Sequence, residues 1–341
     1  MESAKLNAAL REDVLSAQDL AAVELSAFTV PNSSGTTPLH TAARYGLLDK
    51  LPESVLTTEN LLLKNDSGYT PLHNAAIGAR FDGVPAEVMT SENLLLRSNS
   101  GFTVFQIAAG QGSLQSLPDG LVTAEIVVLR NDLGQNLLHE AAEHGTLDCF
   151  PVEFIMPELL ASTNASGESV LHVAALNGHL DQISPDYITT DALQSRTHAG
   201  DTVFHAAAIS GNLAQIPDQF LVHDNLTAAS KTGFTAIHAA AETGQLKYIP
   251  AEHLTPDLML HRNDHGDTPL HAAAYEGHLD QIPAEFFTQE LLLTRNYNGA
   301  SVLRTAVDRG FVTQLPVAMQ PKAPGRVKKL MLDLGLSRPP F

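Results

Sequence analysis

Fifteen histidines in a chain of 341 residues raise the question of metal binding or acid–base chemistry. The densest candidate is HEAAEH, His139 to His144, two imidazoles with Glu140 and Glu143 between them. A helical pair of histidines beside a glutamate base holds zinc in metalloproteases, but it needs the histidines four residues apart so that both leave one helical face. Here the separation is five, which turns the second ring away. Cys149, the single cysteine, excludes an internal disulfide and a cysteine-clustered zinc site. Set in LDCFPVEF between apolar neighbours, it reads as a small buried hydrophobe, a weak nucleophile candidate. Asp264, Gly266 and Asp267 invite calcium, yet the loop lacks the alternating ligand series and closing glutamate of an EF-hand. No G-x-S-x-G elbow, phosphate-cradling loop or dinucleotide fingerprint occurs, and no pair of carboxylates is singled out as acid and base. The expectation is no catalytic residue, no metal ligand, no cofactor and no enzyme activity.

The histidines instead follow a period. Gly35, Gly68, Gly101, Gly134, Gly167, Gly200, Gly233, Gly266 and Gly299 recur every 33 residues without insertion or deletion. Five residues after each comes the column His40, His73, Gln106, His139, His172, His205, His238, His271 and Arg304. Two residues later every copy has alanine, and four further on every copy but one has glycine, the exception being Ala79. Equivalent residues on stacked helices stand about 10 Å apart, whereas ligands of one zinc each lie about 2 Å from it. A file of histidines so spaced cannot converge on one ion. As a structural peg, an imidazole near a helix start can bond the Thr or Ser three residues earlier and tie one turn to the next.

TPLH at 37–40, 70–73 and 268–271, followed by small residues and glycine as in TPLHTAARYG and TPLHAAAYEGHL, resembles the ankyrin repeat, whose period is also 33. The resemblance extends over nearly the whole chain. It implies an all-α, ankyrin-like helical repeat solenoid, with short second helices and turn tips, in which the TPLH histidine is structural. It divides the chain into a capping repeat at 1–32, nine tandem repeats at 33–320, and a basic capping helix and tail at 321–341. Each end of a linear stack needs such a cover for its last apolar face.

The second half of each copy departs from that family. Pro52, Pro85, Pro118, Pro151, Pro217, Pro250, Pro283 and Pro316 stand where a second helix would run, with Pro185 after Ser184 in the remaining copy. Proline removes a donor and clashes with the preceding turn, so the helix is expected to stop there. Thr57, Thr90, Thr123, Thr255 and Thr288 then offer a helix N-cap with an acid in the first turn. Two short helical pieces are expected in place of one long helix.

Composition narrows the partners. The longest apolar runs are a few residues, such as Leu61 to Leu63, far short of the roughly 20 a membrane span needs. The start, MESAKLNAALRED, lacks the basic and apolar regions of a secretory signal, which leaves the cytoplasm as the default. The formal charge of −18 argues against nucleic-acid binding. The last twenty residues carry a net +4, leaving −22 on the rest, so the body should attract a partner with a basic patch. An acidic blocker of a basic nucleic-acid-binding site, and an effector exported to act by protein binding, are the alternatives.

In the ankyrin family partners are commonly bound by turn tips and by exposed positions of the first helix. Carried over position by position, the expected protein-binding residues are Arg44, Tyr45, Tyr69, Phe102, Gln111, Glu143 and His144 toward one end. Toward the other they are Phe234, Glu242, Asp267, Tyr275, Glu276, Tyr297 and Arg309. Tyr45, Tyr69 and Phe102 form one aromatic cluster, and Tyr275 and Tyr297 with nearby acids form another. Aromatic residues anchor interfaces; the alternative is that each ring lies flat over a neighbouring turn. A monomeric, non-catalytic scaffold binding a protein along its concave face is the functional expectation.

Overall fold

Each copy of the period opens with a polar side chain that folds the chain back on itself. The Asn32 side-chain oxygen accepts the N–H groups of Ser34 (2.9 Å) and Thr36 (3.0 Å). Asn65 does the same for Ser67 and Tyr69, and Asn263 for His265 and Asp267. Asparagine suits such turns because its side chain imitates a backbone acceptor. Thr37 then caps the helix Pro38–Tyr45, with Pro38 in the first turn, where a missing N–H is no loss.

The computed structural model describes residues 3–316, apart from the side chains of Ser3 and Glu285; the expected capping helix and tail at 321–341 lie outside the described residues. The chain forms two compact units, one ending at Ile188 and one beginning at Thr189. In the first, Pro38–Tyr45 is followed by equivalent helices Pro71–Ile77, Val104–Gly110, Leu137–His144 and Val170–Asn177, each packed on the next. Helix Ser3–Arg11 lies against Pro38–Tyr45, with Leu6 and Leu10 buried. In the second unit the helices are Val203–Ser210, Ala236–Glu242, Pro269–Glu276 and Val302–Asp308, again packed in sequence. The fold is a helical repeat solenoid. Among the described residues there is no strand beyond isolated bridges such as Thr163 with Ser169.

Small residues set the helix spacing. Ala42 and Ala43, Ala75 and Ala76, and their equivalents in each later copy up to Ala273 and Ala274 are buried, so neighbouring helices approach closely around Leu39, Leu72, Leu138, Leu171 and Leu270. Full burial of each leucine stabilises the stack by about 1.5–3 kcal/mol. Pro38–Tyr45 ends where Gly46 turns left-handed at φ +69°, which lets Leu47 N–H reach the Ala42 carbonyl (2.9 Å). In the next copy Ala79 takes this place and still adopts φ +54°. Beside it, a Cβ on Gly78 would stand 2.0 Å from the Arg44 carbonyl oxygen, so glycine is required there by close approach.

The proline column behaves differently from the expectation. The first helix has already ended at Gly46; Leu48–Lys50 forms a 3₁₀ turn, Pro52 opens a second one at Glu53–Val55, and Thr57 caps a short α-helix, Thr58–Leu61. The second half of this copy is therefore three short pieces, while the copy after Val104–Gly110 has two, Leu114–Ser116 and Ala124–Val127. Pro52 sits at φ −59°, ψ 133°, and its carbonyl accepts the Val55 N–H (2.9 Å). Proline suits this role because its φ is already fixed and a turn's first residue needs no N–H. Thr57, Thr90, Thr123 and Thr288 cap short α-helices with their side chains. Thr255 accepts from Leu258 N–H (3.3 Å) but is followed by the 3₁₀ turn Leu258–Leu260.

The histidine column ties copy to copy. His40 Nε2 lies 3.0 Å from the Tyr69 carbonyl, while its Nδ1 lies 2.8 Å from Thr37 Oγ1 and 3.2 Å from Thr37 N. A carbonyl can only accept, so Nε2 carries the proton and Nδ1 accepts from the Thr37 N–H and hydroxyl. His73, His139, His205, His238 and His271 repeat the bridge to Phe102, Glu168, Phe234, Asp267 and Ala300. Gln106 imitates it: its Oε1 accepts from Thr103 N (2.9 Å) and its Nε2 reaches the Gln135 carbonyl (3.5 Å). A charged imidazole would aim Nδ1–H at a backbone N–H, and burial already opposes the charge. Burial holds His73, His139 and His238 down at about 4, and lowers His40, His205 and His271 as well.

Two predictions follow from these columns. Ala79→Gly should stabilise the protein by about 0.5–1 kcal/mol, because release from the left-handed clash exceeds the added freedom of the unfolded chain. A urea midpoint that rises with unchanged slope is the expected result, and a lower midpoint refutes it. The histidines bind protons more weakly when folded, so their contribution to stability is full above the unfolded value of about 6.5 and is lost as pH falls toward 4. His73→Gln should fold at pH 7 and, near pH 5, take up about one proton fewer on unfolding than the natural chain. Melting temperatures of both chains across pH 4.5–7.5 measure this, and parallel curves would exclude it.

Candidate functional site

Among the described residues, hollows open where first helices meet the turn tips, three of which are lined by residues expected from sequence. The smallest, about 280 Å³, lies in the first unit and is lined by Arg44, Tyr45 and Tyr69 together with Arg11, Thr41 and Asn74. Its neighbour, about 300 Å³, shares Tyr69 and adds Phe102, Gln111, Glu143 and His144, with Leu133, Gln135 and Glu140. The first aromatic cluster expected from sequence is thus spread over two hollows, with Tyr69 between them. Tyr69 stands edge-on to His73 at 5.5 Å between ring centres, so the peg histidine also orients the aromatic ring beside it.

The largest hollow, about 510 Å³, belongs wholly to the second unit. It brings together Phe234, Glu242, Asp267, Tyr275 and Arg309 with Asn263, Asn296, Asn298, Thr305 and Asp308. Tyr275 is 51% exposed, and the Arg309 guanidinium carbon stands 3.8 Å from the centre of its ring. Arg309 Nε also donates to the Tyr275 carbonyl (3.0 Å), which fixes the stacked pair to the backbone. Such cation–π contacts contribute about 0.5–1 kcal/mol at exposed sites. On the opposite side Phe234 tilts over His238 at 5.4 Å, and the His238 Nε2–H donates to the Asp267 carbonyl (3.0 Å).

The lining is acidic. Asp267 Oδ1 accepts from Asn296 Nδ2 (2.7 Å), and Asp308 Oδ2 accepts from Arg304 Nε (2.7 Å). Burial raises the Glu242 carboxyl above its usual range, with the neighbouring Glu276 adding to it. A cation entering the hollow would relieve both effects, since an opposite charge favours the ionised carboxylate.

Glu276 and Tyr297 line none of the three hollows. Tyr297 is 72% exposed, yet its ring covers Gly266: a Cβ added there would lie 2.7 Å from Tyr297 Cδ1. This is a ring laid flat over a neighbouring turn, and Tyr297 stands apart from Tyr275.

The metal-like motif is structurally occupied. His139 is buried, with Nδ1 2.6 Å from Asn136 Oδ1 and Nε2 3.1 Å from the Glu168 carbonyl, and His144 Nδ1 donates to the Glu140 carbonyl (3.0 Å). Cys149, half-buried and not enclosed, has its thiol raised by burial and by the adjacent Asp148, which makes it a poor nucleophile.

The hollows also contain residues that the column reasoning passed over: Asn296 and Thr305 in the second unit, and Leu133, Gln135 and Glu140 in the first. Glu140 had a signal in the sequence. Its equivalents are Thr41, Asn74, Ile107, Val173, Ala206, Ala239, Ala272 and Thr305, none of them acidic.

No curated protein matches the chain. Residues 265–305 match the family model described as Ankyrin repeat, a segment that includes TPLH, Tyr275 and most of the walls of the largest hollow. With its TPLH helix capped by Thr268, its peg His271 and its closing Gly277 in place, the chain carries an ankyrin repeat over residues 265–305.

Proposed function

We propose that this protein is a non-catalytic scaffold that recognises another protein, and that the hollow at residues 234–309 receives basic side chains of that partner. The ankyrin repeat is a protein-interaction module, and it forms this part of the chain. The observation that carries the assignment is the composition of the hollow: a half-exposed tyrosine locked by Arg309, set among Glu242, Asp267 and Asp308. Aromatic groups held rigid lose little freedom on binding, and acidic surroundings add both attraction at a distance and selection against acidic partners. The formal charge of −18 acts in the same direction. Among the described residues no helix is long and apolar enough to cross a membrane. The reading includes nine tandem repeats at 33–320 between caps at 1–32 and 321–341, and a monomer working in the cytoplasm.

Affinity capture from source-cell lysate at low and moderate salt tests this, using the whole chain beside a Tyr275→Ala/Glu242→Gln double variant. Loss of a central anchor commonly costs 2 kcal/mol or more, so the partner should bind the variant at least about tenfold more weakly. Retention should also fall as salt rises. A partner held equally by both chains would place the interface elsewhere.

A further inference from the structure

The hollow shared by the helices Val104–Gly110 and Leu137–His144 has a chemistry of its own, independent of the groove at residues 234–309. Glu140 lines it and is 4% exposed, a burial that carboxylates seldom adopt without a partner of opposite charge. No cation meets it. Asn131 Nδ2 donates to Glu140 Oε1 (2.9 Å) and to Gln135 Oε1 (3.0 Å), and Gln135 Nε2 donates to Glu143 Oε2 (3.1 Å). One network therefore holds two carboxylates side by side, while Glu140 Oε2 has no hydrogen-bond partner among the described residues. Two polar residues in the same column of other copies are satisfied internally: Thr41 donates to Asn7, and Asn74 to the His40 carbonyl.

The walls complete a recognisable shape. Tyr69 and Phe102 are half-buried, and Leu133 at the turn tip is 61% exposed, which gives an apolar channel above an anionic floor. Lysine and arginine match that layout, since they lay an apolar stem along hydrophobic surface and end in a charge. We propose that this hollow is a receptor for one lysine or arginine side chain of a basic peptide segment, with the stem between Tyr69, Phe102 and Leu133 and the charged end on Glu140 and Glu143.

Proton release accompanies the binding. Burial, with Glu143 adding to it and Asn131 opposing, raises Glu140 to about 7. The titratable groups on the elements packed there are His139, Glu143 and His144 on its own helix, His172 on Val170–Asn177, Glu125 on the short helix Ala124–Val127, and Asp148 and Cys149 on the turn Leu147–Cys149, with Tyr69 at the wall. Val104–Gly110 contributes none. His139 is held neutral near 4, so it does not supply the missing cation at neutral pH. A ligand ammonium or guanidinium selects the ionised Glu140 and expels its proton.

The test pans a random dodecapeptide display library on the whole chain at pH 8 and measures the selected peptides as synthetic ligands. The expected peptides share one lysine or arginine at a fixed position. They bind about tenfold more tightly at pH 8 than at pH 6, the ratio set by ionisation of a group near 7. Glu140→Gln keeps an acceptor for Asn131 and should fold, as a thermal melt will show, yet bind at least about tenfold more weakly with little pH dependence. Leu133→Ser, a change at an exposed tip, should weaken binding several-fold. Selection of no peptide, selection without a fixed cation, or equal affinity for Glu140→Gln overturns the proposal. So does binding that is lost with Tyr275→Ala and unaffected at Glu140, which would assign the peptides to the other groove.

Discussion

The hydrogen bond from a neutral imidazole to a carbonyl 29 residues further on is the contact on which the stacking depends, because it joins three requirements in one side chain. Nδ1 completes the cap of its own helix, Nε2 holds the turn of the following copy, and the ring fills space between them. Linear repeats have no long-range core to orient one copy on the next, so each interface must carry its own directional contact. Where histidine is replaced, Gln106 supplies an acceptor and a donor at similar reach. Arg304 does not, and turns instead to Asp308.

A second ladder explains the electrostatics of the surface. Arg97 donates to the Gly101 and Arg130 carbonyls, Arg130 to those of Gly134 and Thr163, Arg196 to those of Gly200 and Ala229, and Arg262 to those of Gly266 and Arg295. Each guanidinium bridges its own turn and the following copy, using donors in a rigid fork that lysine lacks. Four of the chain's twenty lysines and arginines are thereby committed to backbone carbonyls. Carboxylates prevail in the hollow at Glu140 and Glu143 and in the one at Glu242, Asp267 and Asp308, where Arg309 stacks on Tyr275, whereas the smallest hollow holds Arg11 and Arg44 and no carboxylate.

Much of the fold was legible because the period converts single residues into columns. Nine aligned glycines and seven histidines say more than any one motif, and the left-handed turns and pegs follow from residue type. The proline column was read correctly as incompatible with a long helix. Its actual use, as the opening residue of a 3₁₀ turn after a helix already ended by glycine, depends on how the backbone folds back, which no column displays. Tyr297 shows the same limit: the columns place a variable aromatic at a turn tip but do not show that its ring lies over Gly266.

Column logic assigns variable positions to the surface and constant ones to the core, and Glu140 defeats it by being variable and buried together. Its depth results from Asn131 and Gln135 closing over it from the preceding turn, an arrangement set by packing across two segments. Repeat length, helix caps, pegs and left-handed turns were fixed by residue type and spacing alone, since each is a local interaction repeated at constant register. Which side chains face one another across a hollow, which carboxylates lose their water, and which ring is locked by Arg309 were settled by the folded chain, because burial and proximity between copies arise only once the helices are stacked.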